Sequence, residues 1–74
     1  MYERDMGSIT LIGAEKRVYD GSSEPLWKRE YRGLQADIDK LPIDDDLASG
    51  SSCLFLDSKQ YYEYLAYNKT WYQI

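Results

Sequence analysis

Residues 57–74 read Asp-Ser-Lys-Gln-Tyr-Tyr-Glu-Tyr-Leu-Ala-Tyr-Asn-Lys-Thr-Trp-Tyr-Gln-Ile, and no other stretch restricts the fold of this chain as much. Turn-forming residues at 57–60 precede an aromatic run at 61–67, a second turn at 68–69 and a short aromatic segment at 70–74. Aromatic side chains fit a pleated, half-buried surface, and turn clusters between such runs mark hairpins. Just upstream, Cys53-Leu54-Phe55-Leu56 is apolar throughout and flanked by turn residues. That pattern predicts a short central strand, buried on both faces. Residues 52–74 are therefore expected to form a three-stranded meander.

The remaining segments extend the β reading. In Leu26-Trp27-Lys28-Arg29-Glu30-Tyr31-Arg32, alternation puts Trp27, Arg29 and Tyr31 on one face and Leu26, Lys28, Glu30 and Arg32 on the other. Ser8 to Ile12 is β-branched and alternating, with Gly13 expected to stop it. Lys16-Arg17-Val18-Tyr19 predicts a second short strand, with a helix over 14–19 as its rival. Asp20-Gly21-Ser22-Ser23-Glu24-Pro25 is a turn cluster. Residues 34–51 read as an irregular connection with one helical turn at 36–41, broken by Pro42. Asp44, Asp45 and Asp46 repel one another and are expected in solvent. The expected fold is a single mainly β domain over 1–74, a small antiparallel meander or sandwich of five to six strands with at most one short helical turn.

Length decides what must support such a fold. A 74-residue chain buries only roughly 60% of its unfolded surface. Small scaffolds make up the deficit with disulfides, metals or oligomerisation. Cys53 is the only cysteine and there is no histidine, so an internal disulfide is impossible and the commonest zinc ligand and general base are missing. Oligomerisation remains, and a homo-oligomer is expected. Eight tyrosines and two tryptophans are more rings than so small a core can hold, and such rings are enriched at interfaces. Trp27, Tyr31, Tyr62, Tyr64, Trp71 and Tyr72 are the candidate core or interface anchors.

A net charge of −4 argues against nucleic acid, which requires a basic footprint, and against anionic membrane surfaces. No apolar stretch approaches the ~20 residues of a membrane span. The opening residues lack a signal-type apolar block. With one unpaired cysteine, this predicts folding in a reducing cytoplasm.

Chemistry has few footholds. Cys53 has no histidine to activate it, and its apolar setting raises its pKa. Asp57 and Glu63 flank the aromatic strand, as a glycoside hydrolase's carboxylate pair would flank its platform, but Asp57 fits better as an acceptor within its own turn. Three adjacent aspartates do not match the alternate spacing of calcium loops. Asn68-Lys69-Thr70 has the form of a glycosylation sequon and reads better as a turn, with Asn68 suited to positive φ. No enzyme activity, metal or cofactor is expected.

Two segments resemble small phage and prophage structural proteins of Gram-positive bacteria. Tyr31-Arg32-Gly33-Leu34-Gln35-Ala36-Asp37-Ile38-Asp39-Lys40-Leu41-Pro42 is similar to a Gly-Leu-Ser-Thr-Asp-Thr-Lys-Pro stretch of that family. Gly50-Ser51, the Cys53–Leu56 run, Asp57-Ser58-Lys59-Gln60-Tyr61-Tyr62-Glu63-Tyr64 and Asn68-Lys69-Thr70-Trp71-Tyr72 then follow in the family's order. Lys59 stands where the family has a turn glycine, so the hairpin must change its turn or hold a non-glycine residue at positive φ. The resemblance implies a head-fibre, decoration or tail-associated module, non-enzymatic and found in the virion after synthesis in the cytoplasm, with other virion proteins as partners. The alternative is a carbohydrate- or peptide-binding module that offers exposed tyrosines as a stacking platform.

Overall fold

Alternation builds β2 (Leu26–Gly33) as expected: Tyr31 is buried while its neighbour Glu30 is exposed. Around it stand β1 (Thr10–Arg17), β3 (Ser52–Phe55), β4 (Gln60–Leu65) and β5 (Thr70–Gln73), with a 3₁₀ helix (Gln35–Lys40) between β2 and β3. The computed structural model describes residues 6–17 and 25–74. The five described strands form one sheet in the order β1-β2-β3-β4-β5, so the described residues are mainly β with one short 3₁₀ helix.

Three strand pairs are antiparallel, including the β3-β4-β5 meander. The joint between β2 and β3 is parallel, which the expected meander did not contain. Parallel neighbours require a crossover of about a dozen residues or more, and residues 34–51 supply it. This connection first returns beside the start of β2, where Trp27 N–H donates to the Asp46 carbonyl and Ala48 N–H donates to the Trp27 carbonyl, at 2.7 and 2.8 Å. β3 then begins alongside and runs the same way as β2.

Two further expectations change. Gly13 does not end a strand; it marks a register shift between Leu11 and Gly13, and β1 continues through it to Arg17. Glycine suits a bulge as well as a stop. Val18, Tyr19 and residues 20–24 lie outside the described residues. The Cys53–Leu56 run is central but buried on one face only: Cys53 and Phe55 are fully buried, Leu54 partly, and Leu56 is exposed as the first loop residue. Among the described residues, only one side of the sheet has a covering layer. There, Met6, Ile9, Ile38 and Leu41 pack on Tyr31, Cys53, Phe55, Tyr62 and Trp71. A Cβ at Gly33 would lie 2.9 Å from Ile9 Cδ1 and 3.3 Å from Ile9 Cα, so the covering backbone crosses β2 where a side chain is missing.

The 3₁₀ helix stops where proline dictates. Leu41 is extended, at φ −59° and ψ 135°, because the ring of Pro42 disfavours a helical conformation in the residue before it. The helix is tied to the covering segment by Asp37, whose Oδ2 accepts from Ser8 N–H at 2.9 Å and Ser8 Oγ at 2.6 Å. Lys40 lies 3.3 Å from Oδ1. Gly7, at φ +57°, leaves room for this carboxylate, which would sit 2.7 Å from a Cβ there. The bonds from Ser8, and then Lys40, hold the Asp37 carboxyl below its ordinary pKa. A depressed carboxyl stabilises the fold fully above its unfolded value of about 3.9, and this contribution is lost as pH falls through the folded value. Ser8→Ala is therefore expected to flatten the acid limb of a stability-versus-pH curve below about pH 4, measured by urea titration, and to leave the slope near neutrality unchanged.

Both hairpin loops of the meander, residues 56–59 and 66–69, end in a left-handed lysine: Lys59 at φ 58° and Lys69 at φ 53°. Of the two outcomes open at Lys59, a changed turn or a non-glycine residue at positive φ, the chain adopts the second. At the second loop the strain falls on Lys69 and not on Asn68, which instead donates its amide to the Tyr72 hydroxyl. A left-handed side chain costs about 1–2 kcal/mol, while glycine loses about 0.5–1 kcal/mol through the unfolded chain. Lys59→Gly is expected to stabilise by about 0.5–1 kcal/mol and raise Tm by about 2–8 °C. Calorimetry of the single variant checks it.

Candidate functional site

Register sorts the side chains into two faces, since directly opposed residues share a face. Tyr31, Cys53, Tyr62 and Gln73 lie in one row across β2–β5, on the covered side. On the other side, Arg32, Leu54 and Tyr61 form one row. Ile74 joins that row where its N–H donates to the Tyr61 carbonyl at 2.8 Å. Glu30, Ser52, Glu63 and Tyr72 form the next.

This open face divides by chemistry. Over β2 it carries Lys28, Glu30 and Arg32. Over β3–β5 it carries Leu54, Tyr61, Leu65, Tyr72 and Ile74, interrupted by Glu63. No described residue covers this second half: Tyr61 is 40%, Tyr72 46% and Ile74 73% exposed. A cluster of exposed apolar groups of this kind is a typical docking surface.

The six expected anchors fare differently. Tyr31 and Tyr64 are core residues. Their rings meet Trp71 with centroids 6.3 and 5.2 Å away. Trp71 is partly buried, and its indole N–H donates to the Pro42 carbonyl at 2.9 Å. Tyr62 stands edge-on to Phe55 at 5.5 Å. Trp27 is partly buried beside the crossover. Only Tyr72 belongs to the open patch, which is completed by Leu54, Tyr61, Leu65 and Ile74, residues not singled out from the sequence. Alternation held the signal, because Trp71 and Tyr72 are adjacent and cannot share a face.

The acidic run is not simply solvated. Asp46 takes a forked pair from Arg29 at 3.1 and 3.3 Å, and Asp45 lies 2.6 Å from Lys69 Nζ. These contacts fasten the crossover to β2 and to the β4–β5 loop. Beside them, an open cleft of ≈ 340 Å³ lies between Met6, Leu11, Tyr31, Pro42, Asp44 and the Arg29–Asp46 pair. Neither Asp57 nor Glu63 lines it. Asp57 Oδ1 instead accepts from Gln35 N–H and Ser58 N–H, at 3.0 and 2.9 Å, the turn role expected of it. Burial pushes the Cys53 thiol up to about 11, which keeps it protonated at neutral pH. Among the described residues, no group of three or more His, Cys, Asp or Glu is placed to hold a metal ion, and no helix is long and apolar enough to cross a membrane. No family model, curated protein or solved structure matches the chain.

Proposed function

We propose that this protein is a non-enzymatic structural component that works by docking, associating with its own copies and with other proteins of a particle. The observation that carries this reading is the half of the sheet that no described residue covers, where Tyr61, Leu65, Tyr72 and Ile74 meet solvent beside half-buried Leu54. A side chain held on a sheet loses little freedom on binding, and tyrosines combine a large apolar area with a polar tip. The ordered segments between Tyr31 and Tyr72 that resemble small phage structural proteins support a virion or prophage particle as the setting. Light scattering across a concentration series tests the reading. A mass that rises above the single chain is expected, with Tyr61→Ser and Tyr72→Ser together reducing it. A single-chain mass at every concentration overturns self-association.

A glycan- or peptide-binding platform is the second reading, favoured by the shared face of Tyr61 and Tyr72. Saturable glycan binding by a persistently monomeric chain selects it over the first.

A further inference from the structure

We infer that the interface between copies is the free edge of β5, paired antiparallel with β5 of a second copy about a two-fold axis at Tyr72. This deepens the docking reading and rests on it. In an antiparallel pair, residues alternate between exchanging both backbone bonds with the partner strand and pointing them away. Ile74 N–H donates to Tyr61, which sets the phase: Thr70, Tyr72 and Ile74 bond β4, and Trp71 and Gln73 turn their N–H and C=O groups outward. No described residue pairs with that edge.

The other edge differs. β1 carries a register shift at Leu11/Gly13 and ends in Glu15, Lys16 and Arg17. Bulges and charges are the devices by which edge strands avoid pairing. Thr70-Trp71-Tyr72-Gln73 has neither a charge nor a register shift. A two-fold copy therefore meets it without like-charge repulsion between opposed residues.

Only one short register satisfies the outward groups. Trp71 opposite Gln73 of the second copy exchanges both backbone bonds, and symmetry repeats the exchange. Tyr72 then faces Tyr72 of the second copy as a non-hydrogen-bonded pair, and Ile74 faces its Thr70. A perpendicular two-fold axis keeps the open faces on the same side, so the two apolar patches merge into one strip across both copies. The edge and the patch thus serve one contact: main-chain bonds set the register, and the Tyr72 and Ile74 side chains close over the join.

The experiment compares the full chain with three variants. Gln73→Pro removes an N–H that β4 does not use, and proline is tolerated on an edge strand facing solvent. Wild type at about 100 µM, where a micromolar Kd leaves mostly dimer, is expected to scatter with twice the mass of the chain. Gln73→Pro is expected to return to the single-chain mass with its far-UV circular dichroism retained. Tyr72→Cys is expected to cross-link on mild oxidation, since non-hydrogen-bonded antiparallel pairs approach disulfide geometry at Cα separations of about 4.5 Å. Glu63→Cys, on the same face one strand in from the edge, is expected not to. A folded Gln73→Pro that stays dimeric overturns this edge pairing, as does Tyr72→Cys that dimerises without cross-linking, and either result leaves docking through another surface standing. If Gln73→Pro does not fold, the cross-link decides. A wild type that is monomeric at every concentration overturns the edge pairing and self-association together.

Discussion

Phe55→Ala is expected to remove a large share of the protein's stability. Phe55 is fully buried on the central strand. Its ring stands edge-on to Tyr62 at 5.5 Å and packs in the cluster formed by Ile9, Tyr31, Leu41 and Cys53. Truncating a buried phenylalanine costs about 3–5 kcal/mol, combining lost transfer energy with the cavity left behind. At about 0.05–0.15 kcal/mol per residue, a chain of 74 residues has only about 4–11 kcal/mol in total. The covering layer of described residues, Met6 to Ile9 and the 3₁₀ helix, cannot collapse far into the gap, because Ile9 already rests on Gly33. Urea unfolding followed by tyrosine and tryptophan fluorescence measures the loss. Leu56→Ala, one residue on and exposed, is expected to stay within about 0.5 kcal/mol of wild type. Equal costs at the two positions would contradict a one-sided core.

Ser51→Ala is expected to cost about 1–3 kcal/mol, although it deletes a single oxygen. Ser51 is fully buried. Its Oγ accepts from Arg29 N–H at 3.0 Å and donates to the Ala48 carbonyl at 2.8 Å. It sits where the crossover becomes β3, and there the ladder is irregular. Tyr64 N–H donates to the Ser51 carbonyl at 2.8 Å, while the Tyr64 carbonyl accepts from Gly50 N–H at 3.0 Å. The hydroxyl therefore replaces a main-chain partner that the kinked backbone cannot offer to β2. Alanine leaves the half-buried Arg29 amide without its acceptor, and the desolvation of that group sets the cost. Ser49→Ala loses one bond at the surface, from Ala66 N–H at 2.8 Å, and is expected to cost less. Hydrogen exchange at Arg29 gives the local readout, with faster exchange in Ser51→Ala than in Ser49→Ala.

Local patterns foretold what local forces decide. The alternation of Trp27, Arg29 and Tyr31, the helical turn halted by Pro42, the Asp57 turn and the strain at Lys59 each depend on neighbours within a few residues. Tertiary choices were not written there. Cys53-Leu54-Phe55-Leu56 reads the same whether one or two layers cover it, and only the placement of the covering segment leaves Leu56 in solvent. Gly13 suits a bulge and a stop equally well. The direction of β3 beside β2 depends on where residues 34–51 travel, which no periodicity records. The exposed apolar patch was obscured for a related reason. Adjacent aromatic residues alternate between core and surface, so its membership emerged only when β3, β4 and β5 were set in register.

The parallel joint also bears on how the chain reaches this state. β1 with β2, and β3 with β4 and β5, are units whose partners lie close in sequence, so each can zip up on its own. The joint between Leu26–Gly33 and Ser52–Phe55 must wait for the intervening segment to find its path, and such long-range closure is what slows folding. The shared border of these two ribbons is therefore the contact that places the largest loop-closure demand on folding.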